Sequence, residues 1–366
     1  MNHSREIANY LSRSVHKIVF GALQISLKTP KEFAFIAKYM IRSRRAKRIR
    51  MQYEKGGTHI PAFLIASIST QCNLYCTGCY ARANQSCSDD LNASQLSVSA
   101  WDRVFTQAEK LGVSFVLIGG GEPLTRRDVI ACAATHRKMI FPVFTNGTMI
   151  DDNYLALLDK NRNMVPILSI EGNADQTDGR RGTGVYATLM DVMSRLKKRG
   201  IFFGVSVTFT TGNLSTITQD SFIESLYSQG CKVVFFIEYV PVSSESRHLA
   251  PGDTERTILE ERQSALRAKY PKMIFLSFPG DEKHTGGCLA AGRGFFHINA
   301  NGDAEPCPFS PYSDSSVKDH TLLEILDSGL FRKISESGML IGEHSGGCLL
   351  FEKEADVISM LPSTEK

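Results

Sequence analysis

At 366 residues the chain is long enough to bury a full core and to hold roughly two domains, and its 22% charged and 42% apolar residues are ordinary for a soluble protein. The net charge of +4 hides an asymmetry: residues 1–56 carry 13 Lys/Arg against 3 Asp/Glu (net +10), leaving 29 against 35 (net −6) for the rest. The longest apolar run, Ile18 to Leu27, is about ten residues, which excludes a membrane-crossing helix of roughly 20.

The nine cysteines are odd in number and unevenly spaced. The opening Met1-Asn2-His3-Ser4-Arg5-Glu6 lacks the basic, apolar and small-residue order of a secretory signal. A reducing, cytoplasmic setting is therefore expected.

Residues 4–27 place Ile7, Tyr10, Leu11, Val15, Ile18, Val19 and Leu23 near helical spacing, and Pro30 opens a second helix through Phe33, Ile36, Ala37, Met40 and Ile41. Arg42 to Arg50 then supplies a dense basic run. Such a segment either packs across the following domain or lies, peripherally, on an anionic membrane surface. Nucleic acid is not an expected partner, because no interleaved aromatic motif accompanies the charge.

From Pro61 the pattern alternates strand and helix, which predicts parallel strands with helical crossovers. The predicted strands are 63–69, 113–118, 141–145, 164–170, 201–207 and 232–239. The predicted helices are 99–111, 126–137, 151–160, 185–199, 220–229 and 254–268. Strand one feeds Cys72-Asn73-Leu74-Tyr75-Cys76-Thr77-Gly78-Cys79-Tyr80. Three thiols this close suit one cubane iron–sulfur cluster with an iron left open for a small molecule. Zinc is the alternative for a C-x2-C pair, but it needs a fourth ligand, and no further Cys or His follows until Cys87.

The C-x3-C-x2-C spacing of Cys72, Cys76 and Cys79 resembles the signature of the radical S-adenosylmethionine (radical SAM) superfamily. Other motifs follow in the same order. Gly119-Gly120-Gly121-Glu122-Pro123 after strand two is similar to that family's GGEP motif, and Thr145-Asn146-Gly147-Thr148 to its TNG turn. The resemblance implies a partial (β/α)6 TIM-like barrel of α/β class. It places Tyr80, Gly120, Gly121, Glu122, Pro123, Asn146, Ser169 and Arg181 against SAM. Glu122 and the glycine backbone would take the methionine ammonium. Asn146 would line the ribose side, and Ser169 and the acid of Ser169-Ile170-Glu171-Gly172 would face SAM. Arg181, in Asp178-Gly179-Arg180-Arg181-Gly182, would neutralise the carboxylate. Asn213 and Glu238 are further candidates for the pocket wall.

After Phe278-Pro279-Gly280-Asp281 the pattern changes. Gly286-Gly287-Cys288, a strand over 295–299, an Asn301-Gly302 turn and Pro306-Cys307-Pro308 make a hairpin flanked by cysteines. A helix over 322–334 and Gly346-Gly347-Cys348 follow. This resembles the shortened SPASM extension termed Twitch, which implies a second [4Fe–4S] cluster on Cys288, Cys307 and Cys348 with a fourth ligand unassigned. A structural zinc with His284 or His344 is the alternative. Cys87, Cys132 and Cys231 are expected to be ordinary thiols.

The chain thus divides into a basic helical extension (1–56), a radical SAM barrel (57–280) and a small hairpin and helix auxiliary-cluster domain (281–366). The implied activity is reductive cleavage of SAM to a 5′-deoxyadenosyl radical that abstracts substrate hydrogen, with an electron donor such as flavodoxin or ferredoxin. The substrate reads as a small or lipid-like molecule, or as a peptide, as in SPASM-type maturases. A non-catalytic iron–sulfur carrier is the rival class, and it has no need of the GGEP and D-x-x-R-G segments.

Overall fold

The computed structural model describes residues 15–362 except 17, 89–93, 242–245 and 343–346, and leaves out the side chains of Lys28, Lys283 and His284. The two proposed zinc-ligand histidines, His344 and the His284 side chain, thus lie outside the described residues, as do residues 1–14.

Strands β1 (Phe63–Ser69), β2 (Phe115–Gly120), β3 (Phe141–Thr145), β4 (Met164–Ser169), β5 (Gly204–Phe209), β6 (Val233–Glu238) and β7 (Ile274–Phe278) pair in parallel, in chain order. Two short strands, β8 (His297–Ile298) and β9 (Ala304–Glu305), extend the sheet on the other side of β1. The parallel arrangement is possible because both faces of the strands are covered. In β1 the alternate residues Leu64, Ala66 and Ile68 are fully buried beneath the outer helices, while Phe63, Ile65 and Ser67 face the barrel interior.

The crossover helices form where apolar residues recur every three to four positions. In α2 (Val98–Leu111) these are Ala100, Trp101, Val104, Phe105, Ala108 and Leu111, all buried, with Ser97 capping the first turn. Gly112 ends this helix at φ +84°, where a Cβ would stand 2.6 Å from the Ala46 carbonyl oxygen. The other crossovers are α3 (Arg127–Thr135), α4 (Asp152–Lys160), α6 (Val185–Lys198), α7 (Asp220–Ser228) and α8 (Asp253–Lys269).

Three features depart from the sequence reading. A seventh parallel strand, β7, follows the sixth helix; its five apolar-rich residues carry no periodicity that separates a strand from a buried loop. Helix α5 (Ala174–Arg181) is not among the predicted helices, and its single buried residue, Thr177, leaves little apolar periodicity to reveal it. A capping box nucleates it: Asn173 accepts from Gln176 N at 3.0 Å while the Gln176 side chain accepts from Asn173 N. Finally, the helix expected over 322–334 is two, Leu322–Ile325 and α9 (Gly329–Glu336), because Ser328 starts a new cap between them.

The basic segment packs against the barrel. Helix α1 (Pro30–Lys55) buries Ile36 and Tyr39 against Ala62 and Phe115 at the amino-terminal end of β1 and β2, together with Val15 and Val19. The Tyr39 hydroxyl donates to Ser114 O at 2.6 Å, Arg50 donates to Gly112 O and Ser114 Oγ, and Arg42 donates to Arg137 O. Buried Glu32 pairs with Arg162 at 2.6 Å. Two of the arginines are therefore occupied by backbone carbonyls of the barrel.

Candidate active site

The carboxyl ends of the strands gather the residues singled out above, as parallel barrels do for reactive groups. The cysteine loop leaves β1 through Ser69, whose hydroxyl meets Thr125 Oγ1 at 2.8 Å and accepts from Gln71 N at 3.1 Å. The glycine turn after β2 is stitched to it, since Gly121 N donates to Ser69 O at 2.7 Å and Glu122 N to Gln71 O at 2.7 Å. A Cβ on Gly121 would stand 2.2 Å from Gln71 O, so only glycine allows this approach. On the far side, Thr77 N donates to Arg180 O at 2.9 Å and Arg180 Nε to Thr77 O at 3.2 Å. Arg82 stacks on Tyr75 and donates to the Cys72 and Leu74 carbonyls.

Held this way, Cys72, Cys76 and Cys79 all face one cavity of about 1000 Å³, with Tyr80, Gly120, Gly121, Glu122, Asn146, Ser169 and Arg181 on its wall. Burial, with the Glu122 charge and neighbouring thiols, pushes the Cys72 thiol up to about 11. Burial raises the Cys76 thiol too, against the pull of Arg181 and Arg180. Thiols in this condition lose their protons to a metal rather than to water. The Tyr239 hydroxyl is buried without a partner among the described residues, and it lies 2.6 Å from where a Gly78 Cβ would be. An orphaned donor beside three clustered thiols fits a site built for a cluster and its ligand.

Several side chains do more than the sequence suggested. Glu122 lines the cavity but is only 1% exposed, and its carboxylate already accepts from Thr145 Oγ1 (2.7 Å), Asn146 N (2.8 Å) and Leu124 N (3.0 Å). Burial raises its pKa against these donors. Pro123 starts the 3-10 turn that follows and is buried beneath the wall. Asn146 donates to Asn73 Oδ1 at 2.9 Å, tying the TNG turn to the cysteine loop. Ser169 meets Ser206 Oγ at 3.2 Å, and Ser206, which the sequence reading passed over, also lines the cavity.

Two expectations need correction. Glu171 does not face the cavity; it accepts from Arg180 Nη1 at 2.6 Å, from Arg181 Nε at 2.8 Å and from Thr208 N at 3.1 Å. Burial works against the Arg181 charge, but Glu171 and Cys76 outweigh it and hold the guanidinium charged. Arg181 Nη1 reaches to 3.9 Å from Cys76 Sγ. Asn213 is likewise absent from the wall, because its amide donates to the Glu171 and Thr208 carbonyls and so braces the end of β4. Glu238 does line the cavity, paired with Arg256 at 2.7 Å and accepting from Gly347 N at 2.7 Å, which tethers the Cys348 loop to β6.

The C-terminal cysteines stand on the same side of the barrel. Cys288 and Cys307 are buried and Cys348 is half-buried. Burial and the neighbouring negative groups raise Cys288 and Cys307 far above the ordinary range and push Cys348 up to about 12. The hairpin bearing Cys307 joins the barrel through a buried chain that the sequence reading missed: Glu305 Oε2 to His297 Nδ1 (2.7 Å) and His297 Nε2 to Ser67 Oγ (2.7 Å). The Tyr80 ring lies 4.7 Å from that of Phe309, so the two cysteine loops meet across this aromatic pair.

A parallel partial barrel with a three-cysteine loop and glycine turns at its carboxyl ends, opening on one shared cavity, suits an iron–sulfur cluster with a small ligand beside it. Residues 66–226 match the Radical SAM superfamily model, so the barrel carries a radical SAM domain, and that family implies a [4Fe–4S] cluster and SAM. It is 25% identical to the AdoMet-dependent heme synthase of Methanosarcina barkeri over 78% of this chain and 88% of the relative. It is 24% identical to the mycofactocin maturase MftC of Mycobacterium tuberculosis over 81% and 75%. The fold is that of Streptococcus suis SuiB bound to S-adenosylmethionine, with a TM-score of 0.68, 18% identity, and 95% of this chain and 86% of that one covered.

Proposed function

We propose that Cys72, Cys76 and Cys79 hold a [4Fe–4S] cluster with one open iron, that SAM lies beside it across the strand ends, and that a bulky, largely apolar small molecule occupies the rest of the cavity and gives up a hydrogen atom. The observation that carries this reading is the cavity itself. Its volume is at the top of the roughly 300–1,000 Å³ range of small-molecule sites. Away from the cysteines its wall includes Phe63, Ile65, Leu117, Phe144, Phe235 and Ile237. There is room for SAM and a second molecule together.

When bound, the cluster supplies the electron that splits SAM into methionine and a 5′-deoxyadenosyl radical. This chain's residues bind and orient. The Gly120 and Gly121 backbone and the remaining acceptor capacity of Glu122 take the ammonium, with Pro123 fixing the turn. Arg181, kept charged by Glu171, takes the carboxylate. Asn146 and Ser169 meet the ribose side, Tyr80 packs beside the ligand, and the apolar wall excludes water. A flavodoxin or ferredoxin is the electron donor. Cys288, Cys307 and Cys348, three largely buried thiols, hold a second [4Fe–4S] cluster in a C-terminal auxiliary domain.

A porphyrin tests the substrate class, being apolar, bulky and of suitable size. Anaerobic titration is expected to shift its absorbance with roughly micromolar affinity. A peptide is the second reading, supported by the likeness to the mycofactocin maturase. Failure of porphyrins to bind, with a peptide stimulating 5′-deoxyadenosine formation instead, would establish that reading and remove the first.

The exposed side of the N-terminal segment is proposed to meet an anionic membrane surface. Among the described residues no helix is long and apolar enough to cross a membrane. However, Ile41 (70% exposed), Leu27 (67%) and Phe20 (45%) are open to solvent, as are Arg44, Arg45 and Arg48. Changing these three arginines to Gln is expected to weaken binding to phosphatidylserine vesicles about a hundredfold, at about 1 kcal/mol per charge. Equal binding by wild type and variant, or binding insensitive to salt, rules the contact out.

A further inference from the structure

We propose that Glu282 is the fourth protein ligand of the C-terminal iron–sulfur centre, a carboxylate completing the site that Cys288, Cys307 and Cys348 leave open. This inference rests on the reading of those cysteines as cluster ligands and extends it to the iron they do not reach.

The Glu282 side chain is buried at 3% exposure, and its Oε1 has no hydrogen-bond partner among the described residues. The carboxyl otherwise meets the Leu289 N–H and the Cys288 thiol, but leaving one buried oxygen unsatisfied costs about 1–3 kcal/mol, so Oε1 calls for a partner. Hydrogen bonds fix where it points from. Glu282 N donates to Pro279 O at 2.6 Å in the 3-10 turn Gly280–Thr285 after β7. The Thr285 hydroxyl bridges the Glu282 and Gly287 carbonyls, at 2.5 and 2.8 Å. Arg293 clamps the same loop by donating to the carbonyls of Thr285 (3.0 Å), Gly286 (3.3 Å) and Cys288. At Gly287, φ is +123° and a Cβ would lie 2.1 Å from Leu340 O, so the backbone passes where no side chain fits. Glu282 and Cys288 are thereby presented from one rigid loop.

The other two cysteines are held by tethers to the barrel. Cys307 arrives on the hairpin locked to β1 through His297, and Cys348 through the Gly347–Glu238 tether. Donors of this kind stay protonated in a largely buried pocket and give up their protons when a cationic centre binds among them. A carboxylate oxygen is a harder ligand than thiolate, and so the more readily displaced of the four. Glu282 and Cys307 both line the cavity, so the exchangeable position faces the substrate.

The test uses full-length protein carrying Cys72→Ala, Cys76→Ala and Cys79→Ala, so that only the C-terminal centre can be loaded. After anaerobic reconstitution it should hold about four irons and remain a [4Fe–4S] centre on mild ferricyanide oxidation. With Glu282→Gln added, oxidation should release about one iron and give the EPR signal of a [3Fe–4S] centre. Glu282→Cys should restore retention, because a thiolate takes the vacated place. Glu282→Gln matching its parent, or Glu282→Cys failing to protect, would overturn the ligand role while leaving the three-cysteine centre standing. A parent that binds no iron would instead overturn the second cluster itself, and this inference with it.

Discussion

Replacing Cys79 with alanine is expected to lower 5′-deoxyadenosine formation to the level of a protein-free assay. The loss should exceed the roughly 10- to 100-fold seen when only an outer partner of a metal ligand is removed. A cubane held by Cys72 and Cys76 alone has two irons without protein ligands, and nothing then fixes which one meets SAM. The loop itself should survive the change. Its backbone is held by Thr77 and Arg180, and by Arg82 on the Cys72 and Leu74 carbonyls, none of which needs the Cys79 sulfur. Chromatographic assay of anaerobic, dithionite-reduced protein measures the effect. Undiminished product from the variant would remove Cys79 from the ligand set.

Glu171→Gln is expected to destabilise the fold by about 3–5 kcal/mol, the cost of breaking a buried ion pair from one side. Glu171 is nearly inaccessible and pairs with Arg180 and Arg181, which are themselves largely covered. The amide keeps the shape but leaves two guanidinium groups facing one neutral oxygen. The same substitution should weaken SAM binding, since Arg181 loses the partner that orients it and Arg180 loosens its hold on the cysteine loop. Chemical denaturation and SAM affinity of the reconstituted protein report the two effects separately. A variant as stable as wild type would mean that water already solvates these arginines.

The strand and helix order of the barrel was legible because each unit buries a periodic apolar face, and the three-cysteine loop because chemistry fixes its spacing. What escaped was settled by pairing across the fold. Nothing around Glu171 in the chain says that its partners stand nine and ten residues on, since the turn into α5 depends on the Asn173–Gln176 box and on a helix with little apolar periodicity. The β8–β9 hairpin was legible from its Asn301-Gly302 turn, but the His297 link to Ser67 spans 230 residues. Glu122 was recognisable as a site residue, but two of its three protein donors, Thr145 and Asn146, come from the end of β3 and the turn after it. The packing of Arg42 and Arg50 onto barrel carbonyls could not be told from a free basic face without knowing where β2 begins.

The most direct test is the fate of SAM on the wild-type protein. Anaerobically reconstituted and reduced by dithionite, the protein should convert SAM to methionine and 5′-deoxyadenosine in equal amounts, with the hydrogen gained by 5′-deoxyadenosine coming from a non-exchangeable position of the substrate once that is supplied. A fully loaded, reduced cluster that leaves SAM intact, with or without candidate substrates, would contradict the account and make the protein an iron–sulfur carrier on a barrel scaffold.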